Sequence, residues 1–187
     1  MKNVLLHICC GVCAIYSIEQ LKAKGFQVTG FFFNPNIYPE SEYEKRRQAA
    51  RLITDESGIR LIEENYDNNL WQDICGKYKS DKEGSRRCCF CYEFRLKRAF
   101  EVSRFGNYDY ICTTLTISPH KNFKNIIVIG NQIAGDVFLP IDFKKHDGFK
   151  KTITKAKEFG IYRQNYCGCI YSRPKRMTND QIPMTNG

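Results

Sequence analysis

Apolar segments typical of buried β-strands alternate along this chain with segments typical of amphipathic α-helices. The strands are predicted at Asn3–His7, Gln27–Phe33, Arg60–Glu63, Tyr108–Thr114 and Val137–Pro140. The helices are predicted at about residues 13–24, 41–57, 70–79, 91–105, 118–134 and 148–159. This alternation favours an α/β fold in which a mostly parallel sheet carries helices on both faces. The length of 187 residues fits a single domain, predicted at 1–173, with a flexible tail at 174–187.

Two of the helix starts carry specific capping signals. Ser41, with Glu44 three residues later, forms a capping-box pattern. Ser118 precedes Pro119, which suits a capping hydroxyl followed by proline at the first helical position. We therefore expect helices to begin at these two serines, and we expect Ser80–Arg87 to form a polar turn before the helix at 91–105.

Three segments with chemically active side chains directly follow predicted strands. They are the cysteine-rich segment 9–13, the loop Asn34–Pro39 and the stretch Thr113–Ser118. In parallel α/β sheets, ligands bind in the crevice beyond the carboxyl ends of the strands. The sequence therefore predicts one functional site at this edge of the sheet.

The chain contains ten cysteines, well above ordinary usage. Seven of them form three short-spaced groups: Cys9, Cys10 and Cys13; Cys88 and Cys91; Cys167 and Cys169. Cys89 lies inside the second group, whereas Cys75 and Cys112 stand alone and are expected in the core. The N-terminal apolar run lacks the cleavage pattern of a signal peptide, so we expect a cytoplasmic protein. In a reducing cytosol, grouped cysteines indicate metal ligands or redox groups rather than disulfides.

The number and spacing of the thiols bear on the kind of metal. A structural zinc site takes four ligands, usually from two close pairs, and this chain has more thiols in widely separated groups. A four-iron cluster takes four cysteines from scattered positions, and the surplus thiols suit a second metal beside it. The sequence lacks the glycine-rich phosphate loops of ATP-binding and nicotinamide-binding proteins. We therefore expect electrons to come from an external electron-donor protein.

The formal net charge of +9 suits a polyanionic partner. Basic residues concentrate at 45–47, 82–87, 144–151 and 173–176, with aromatic residues among them. Aromatic rings stack on unpaired bases, so this pattern is typical of proteins that bind single-stranded nucleic acid. From charge alone, a solvated basic surface with ordinary core aromatics is an equal alternative.

Five motifs occur in order between residues 3 and 173: His7-Ile8-Cys9-Cys10-Gly11-Val12-Cys13, Asn34-Pro35-Asn36-Ile37-Tyr38-Pro39, Arg87-Cys88 with Cys91-Tyr92 and Arg95-Leu96, Thr113–Pro119, and Tyr162–Ser172. Together they resemble the successive motifs of the cobalamin-independent epoxyqueuosine reductases of the QueH type. Val12 stands where that family more often has proline. Cys89 is an additional cysteine between two family cysteines, and no ligand role is assigned to it.

The resemblance implies a Rossmann-like fold and an oxidoreductase that converts epoxyqueuosine to queuosine at the wobble position of tRNA. It also implies a [4Fe-4S] cluster with an adjacent mononuclear iron. The expected partners are the tRNA anticodon arm and the electron-donor protein, with no membrane association.

The expected metal ligands come from all three cysteine groups: Cys9, Cys10, Cys88, Cys91, Cys167 and Cys169. Cys13 is either a further ligand or a residue that tunes the site by hydrogen bonding. Asp142 is the first candidate for the proton donor, with a solvated helix cap as its alternative, and Tyr166 is the second. His7 is expected to be a core histidine. Candidates for holding the modified base or nearby phosphates, with turns and surface ion pairs as the alternative, are Asn34, Asn36, Arg46 and Arg95.

Two other functions stay open from the sequence. An iron–sulfur enzyme that removes or exchanges sulfur on a nucleobase would act without net reduction, so a requirement for a strong reductant separates it from the reductase. A zinc-bearing nucleic-acid-binding module without chemistry would be colourless.

Overall fold

The computed structural model describes residues 1–173, so the predicted tail at 174–187 lies outside the described residues. A sheet of four parallel strands lies at the centre of the described residues: β1 (Asn3–His7), β2 (Gln27–Phe32), β3 (Leu61–Glu63) and β4 (Tyr110–Thr113). Their order is β3-β2-β1-β4. The predicted parallel α/β fold is confirmed, and β1 lies inside the sheet because its apolar residues Val4, Leu5 and Leu6 are fully buried.

Within residues 1–173, six α-helices surround the sheet: α1 (Gly11–Ala23), α2 (Glu40–Glu56), α3 (Asn68–Cys75), α4 (Arg86–Phe105), α5 (Phe123–Ala134) and α6 (Gly148–Glu158). Helix α1 packs against α2 and α6, while α4 packs against α3 and α5. The strand order runs outward from β1 to β3 and then returns to β4 on the other side of β1. Because such crossovers are right-handed, the two helix groups lie on opposite faces of the sheet.

The fifth predicted strand, Val137–Pro140, does not extend the sheet. It contributes one bridge, Ile111 to Phe138, with the Leu139 amide donating to the Ile111 carbonyl at 2.9 Å. Pro140 has no amide hydrogen and cannot continue the ladder. The strand prediction at this position was therefore wrong.

Both predicted serine caps are wrong, and α1, α3 and α4 begin earlier than predicted. Helix α2 begins at Glu40 with Pro39 as its N-cap, so Ser41 is not the cap. Helix α4 begins at Arg86 rather than near residue 91, which places Cys88, Cys89 and Cys91 on one helix. Helix α5 begins at Phe123 and is capped by Asn122, which accepts from the Asn125 amide at 3.2 Å. The segment 118–122 is consequently a loop at the carboxyl edge of β4.

The start of α4 has a tertiary cause. The buried guanidinium of Arg87 donates through Nη1 to the carbonyl oxygens of Tyr78 and Lys79, each at 3.2 Å, and to that of Asp81. Three carbonyl groups of the preceding turn are thereby tied to the first turn of the helix. This stabilises helical structure in a segment whose composition predicts a turn.

Candidate metal centre and active-site cavity

The first thiol group lies between the end of β1 and the start of α1. The Sγ atoms of Cys9, Cys10 and Cys13 all lie within 4.8 Å of one another. Cys10 is the N-cap of α1, and its Sγ accepts from the Cys13 amide at 3.4 Å. Gly11 permits this arrangement, because a Cβ at that position would lie 2.3 Å from the Ala49 carbonyl oxygen of α2. The amides at a helix N-terminus favour a thiolate, so the fold presents this group as a ligand set.

Hydrogen bonds distribute the protons unequally over this group. Donation from Cys10 and Cys13 lowers the pKa of Cys9, whose Sγ also accepts from the Thr114 hydroxyl at 3.3 Å. Burial raises the pKa of Cys10 to about 12, and the hydrogen bonds that Cys13 donates to its neighbours raise the pKa of Cys13. Three sulfurs, of which that of Cys9 is favoured as the thiolate, fit a thiophilic metal such as iron or zinc.

The second thiol group combines two groups of the sequence, Cys88 and Cys91 on α4 with Cys167 and Cys169 in the turn that follows α6. Cys91 and Cys169 are buried together with Cys75 against the ring of Trp71. Cys88 Sγ accepts from the Gly84 amide at 3.1 Å, and burial raises the Cys88 pKa to about 12. Cys75 is a buried residue as predicted, but it lies in the same cluster as two expected metal ligands.

Cys112 and Cys89 lie outside both thiol groups. Cys112 is buried in β4, with its Sγ 3.6 Å from the Leu139 carbonyl oxygen, so the core prediction is confirmed. Cys89 is half-buried, and its Sγ accepts from the Asn125 side chain on α5 at 3.6 Å.

A cavity of about 530 Å³ opens at the carboxyl edge of the sheet, where the sequence predicts the site. Cys9 and Cys13 of the first group and Cys167 from the later turn all form part of its wall. Each of the three strand-end segments that the sequence predicts contributes to the cavity wall, through Cys9, Asn36 and Ser118. The cavity thus reaches the later cysteines only through Cys167; among residues 1–173, the other predicted ligands Cys10, Cys88, Cys91 and Cys169 are not part of its wall.

Three of the four predicted binding residues, Asn36, Arg46 and Arg95, line this cavity. Asn34 does not, as far as residues 1–173 show. It is 1% exposed, its Nδ2 donates to the Ile8 carbonyl oxygen at 2.8 Å, and its Oδ1 accepts from Arg95. Asn34 therefore positions Arg95, whose Nη1 lies 4.0 Å from Cys91 Sγ.

Arg46 holds the turn that contains Cys167 by hydrogen bonds to its backbone. Its guanidinium donates to Glu42 Oε1 at 2.7 Å, to the Cys167 carbonyl oxygen at 2.9 Å and to the Tyr166 carbonyl oxygen at 3.2 Å. Gly168 has φ +121°, and a Cβ there would lie 2.8 Å from Arg46 Nη1. The Arg46 guanidinium is thus committed to holding the chain on both sides of Cys167.

The two candidates for the proton donor lie in different places. Tyr166 lines the cavity, and its hydroxyl donates to the Tyr38 carbonyl oxygen at 2.7 Å. Asp142 is not part of the cavity wall in the described range 1–173. Its carboxylate accepts from the Lys144 amide at 3.1 Å and lies 3.4 Å from Lys144 Nζ, as in a surface turn.

His7 is the core histidine that the sequence predicts. Its ring is fully buried, with Nδ1 2.9 Å from the Thr113 hydroxyl and Nε2 3.3 Å from the Phe33 carbonyl oxygen. Burial lowers the pKa of His7 to about 3, so the ring is neutral at physiological pH.

Two cavity residues were not among the predicted site residues, although Gln164 lies in the motif Tyr162–Ser172. Gln164 donates through Nε2 to Cys10 Sγ at 2.9 Å. Burial lowers the pKa of the Lys121 ammonium, but the Coulombic interaction with the nearby sulfurs of Cys167, Cys9 and Cys13 raises it more, so the net direction is upward. The only clue for Lys121 is its place soon after the end of β4, and a single polar residue in a loop forms no pattern.

The comparisons with solved structures support the fold. The U34-tRNA thiolase NcsA from Methanococcus maripaludis, solved with its [4Fe-4S] cluster, superimposes with a TM-score of 0.58 at 16% identity. That match covers 92% of this chain and 62% of the thiolase, so the chain spans about three fifths of its length. A predicted subunit of a tRNA methyltransferase from Methanocaldococcus jannaschii gives a TM-score of 0.56 at 11% identity, covering 83% of this chain and 76% of that one.

No helix within residues 1–173 is both long and apolar enough to cross a bilayer.

The sequence comparisons are more specific than the fold. The "Epoxyqueuosine reductase QueH" of Thermotoga maritima is 36% identical over 182 residues, covering 94% of this chain and 93% of the relative. The protein of the same description from Streptococcus pyogenes is 32% identical over 179 residues, covering 91% of this chain and 70% of the relative. The profile of the family described as "Epoxyqueuosine reductase QueH" matches residues 4–175. The chain therefore belongs to the epoxyqueuosine reductase QueH family.

Proposed function

We propose that this protein removes the epoxide oxygen of epoxyqueuosine at the wobble position of tRNA and leaves the alkene of queuosine. The observation that carries the proposal is the cavity at the carboxyl edge of the sheet, whose wall contains Cys9, Cys13 and Cys167, in a chain of this family. The reaction consumes two electrons and two protons and releases the oxygen as water. The cavity must therefore hold a source of electrons, a proton donor and the modified base.

The donor set fits the iron–sulfur centre that the family implies, because it consists of cysteine sulfurs that are buried, apart from half-buried Cys167, and those of Cys9, Cys10 and Cys13 lie within 4.8 Å of one another. We propose that this centre is a [4Fe-4S] cluster with an adjacent iron, held by Cys9, Cys10, Cys88, Cys91, Cys167 and Cys169. When bound, it would supply electrons singly and a Lewis acid for the epoxide oxygen. The electrons would come from an external donor protein.

The cations of the cavity have a separate role in this proposal. Arg95 and Lys121 bring two positive charges to a wall that contains thiolates. A fixed donor in a low-dielectric cavity stabilises negative charge that develops on a departing oxygen. We therefore assign the stabilisation of that oxygen to these two side chains.

The proposed proton donor is Tyr166, a residue of the cavity wall, whose hydroxyl would have to turn from the Tyr38 carbonyl oxygen to the substrate. Tyr166→Phe is expected to keep its iron and to lower kcat by about 100-fold, the usual contribution of a general acid. Asp142→Asn is expected to change kcat less than about twofold, since Asp142 is held in a turn by Lys144. The reaction rates of both variants and the wild type are measured in single-turnover assays at matched iron content. The reverse order of effects would make Asp142 the donor.

Helix α6 is the proposed docking face for the anticodon arm. Phe149 and Ile153 on this helix form part of the cavity wall, and Lys150 and Lys157 on the same helix are exposed. A lysine that contacts a tRNA phosphate displaces counterions from the RNA. Each such contact therefore adds to the salt dependence of binding.

The double variant Lys150→Gln/Lys157→Gln is expected to bind every tRNA more weakly, with the slope of log Kd against log salt smaller by about two. The control is Lys97→Gln, which removes one charge from α4, where Lys97 pairs with Glu93 at 2.6 Å. The Kd and its salt slope are measured for the double variant and for Lys97→Gln by filter binding over a salt series. Equal slopes in the wild type and the double variant would place the docking face elsewhere.

The activity is tested with protein reconstituted anaerobically with iron and sulfide, tRNA containing epoxyqueuosine, and dithionite as reductant. Mass spectrometry of the digested nucleosides is expected to show queuosine in amounts that depend on the reductant. Full activity with zinc alone, or with four or fewer irons per chain, would contradict the metal assignment. Modification of the tRNA without any need for reductant would favour sulfur removal or exchange instead.

A further inference from the structure

The indole N–H of Trp71 is a buried hydrogen-bond donor that no oxygen or nitrogen atom of residues 1–173 accepts. The Trp71 side chain is 1% exposed, and an indole nitrogen can donate a hydrogen bond but cannot accept one. Native proteins pair nearly all of their buried N–H groups. The position of this donor therefore requires an acceptor of another kind.

Helix α3 turns the indole towards the second thiol group. Trp71 and Cys75 are the buried residues of this helix, and because they are four positions apart they lie on one face. The helix packs against α4, and Trp71 is buried in one cluster with Cys75, Cys91 and Cys169. The side chains of these three buried neighbours offer sulfur atoms as their polar groups. A sulfur is therefore the acceptor that this cluster provides.

The sulfur on which the indole acts is that of Cys91. Burial raises the pKa of Cys91, whereas the guanidinium of Arg95 and the indole N–H of Trp71 both lower it. Arg95 Nη1 lies 4.0 Å from the same sulfur. The sulfur of Cys169 has another neighbour, the hydroxyl of Ser172 at 3.4 Å. Two N–H groups, one from α3 and one from α4, thus favour negative charge on Cys91.

We propose that the indole N–H of Trp71 donates a hydrogen bond to Cys91 Sγ when this sulfur is a ligand of the iron–sulfur centre. The proposal rests on the proposed function in taking Cys91 as a ligand. A metal-bound thiolate carries no proton and can only accept a hydrogen bond. Hydrogen bonds to the sulfurs of a cluster are among the factors that set its reduction potential, and a donor favours the more negative, reduced state. Trp71 is therefore a positioning residue that makes the centre easier to reduce.

Trp71→Phe keeps an aromatic ring in the cluster and removes the N–H group. The variant is expected to load the wild-type amount of iron and to have a more negative midpoint potential, because one hydrogen bond that favours the reduced state is lost. The potential is measured by a redox titration of the anaerobically reconstituted protein, followed by electron paramagnetic resonance. An unchanged potential in a fully loaded Trp71→Phe protein would overturn the proposal.

Tyr171→Phe is the matched control, because the Tyr171 ring packs in the same cluster at 6.1 Å from the ring of Trp71. Its hydroxyl donates to Gln72 Oε1 at 3.0 Å rather than to a cysteine. The control removes one polar group from the same surroundings, and it is expected to keep both the iron content and the potential. If it moved the potential as far as Trp71→Phe does, packing rather than the indole N–H would be the cause.

A second measurement needs no variant, because Trp71 is the single tryptophan of the chain. Protein produced with tryptophan that carries ¹⁵N in the indole ring is therefore labelled at one site. Pulsed electron paramagnetic resonance of the reduced wild-type protein is expected to show a weak coupling between the electron spin of the centre and this nitrogen. The absence of that coupling in fully loaded protein would contradict the hydrogen bond even if Trp71→Phe failed to fold.

Failure of this proposal and failure of the proposed function are distinguishable, because neither readout depends on turnover. If the wild type loads iron but does not reduce epoxyqueuosine in tRNA, the function is wrong, and the potential and the ¹⁵N coupling still decide the role of Trp71. If the wild type is active but shows neither the coupling nor the shift in Trp71→Phe, the role of Trp71 is overturned while the function stands. A wild type that binds no iron overturns both.

Discussion

Cys10→Ser is expected to lose the brown iron–sulfur chromophore and to lower turnover by more than about 100-fold. Loss of a partner that only orients a metal ligand already costs about 10–100-fold in metal affinity or activity, and here the ligand itself is removed. Serine is chosen because Cys10 is the N-cap of α1 and accepts from the Cys13 amide. A serine hydroxyl caps a helix well but is a poor ligand for iron. The effect therefore reports on the metal rather than on the helix.

The matched control is Cys89→Ser, which changes a half-buried thiol one residue from Cys88. It is expected to keep full iron content and activity. Visible absorption, iron and sulfide analysis, and queuosine formation are measured for both variants after the same reconstitution. A brown and active Cys10→Ser protein would remove Cys10 from the ligand set, and a colourless Cys89→Ser protein would add Cys89 to it.

The strand and helix pattern could be read from the sequence because local patterns determine it. The alternation of apolar strands and amphipathic helices predicts the parallel sheet, and Asn3–His7 is observed with the predicted bounds. The start of α4 could not be predicted, since it depends on the contacts of Arg87 with carbonyl groups six to nine residues earlier. Composition alone marks that segment as a turn.

The parts of the site that depend on residue type alone could be predicted from the sequence. Grouped cysteines and strand ends predict the thiol groups and their edge of the sheet. Asn34 and Asn36 have the same residue type and neighbouring positions, yet only Asn36 reaches the cavity, because the Asn34 side chain bonds Ile8 and Arg95. Such a difference depends on the path of the loop. Lys121 was missed for the same reason, and so was the contact of Gln164 with Cys10, although Gln164 lies in the motif Tyr162–Ser172.

Arg46→Met is expected to destabilise the protein by about 3–5 kcal/mol and to prevent stable loading of iron. The Arg46 and Glu42 side chains are 3% and 9% exposed, and removal of the cation leaves a buried carboxylate without its partner. The same change removes both hydrogen bonds to the carbonyl groups of Tyr166 and Cys167. The cysteine-bearing turn then loses its support, so metal binding and stability should fall together.

The neighbouring Arg47 provides the control, because its guanidinium pairs with Glu44 on the surface of the same helix. Arg47→Met is expected to cost no more than about 1 kcal/mol. Arg46→Lys keeps the charge but cannot donate to three oxygens in the fork geometry of a guanidinium, so its stability and iron content should lie between those of the wild type and Arg46→Met. Urea unfolding of the metal-free protein and iron analysis measure both quantities. If Arg46→Met unfolded like Arg47→Met and still loaded iron, the turn at 166–169 would be held by other contacts, such as the Tyr38 amide donating to the Gly168 carbonyl oxygen at 2.8 Å.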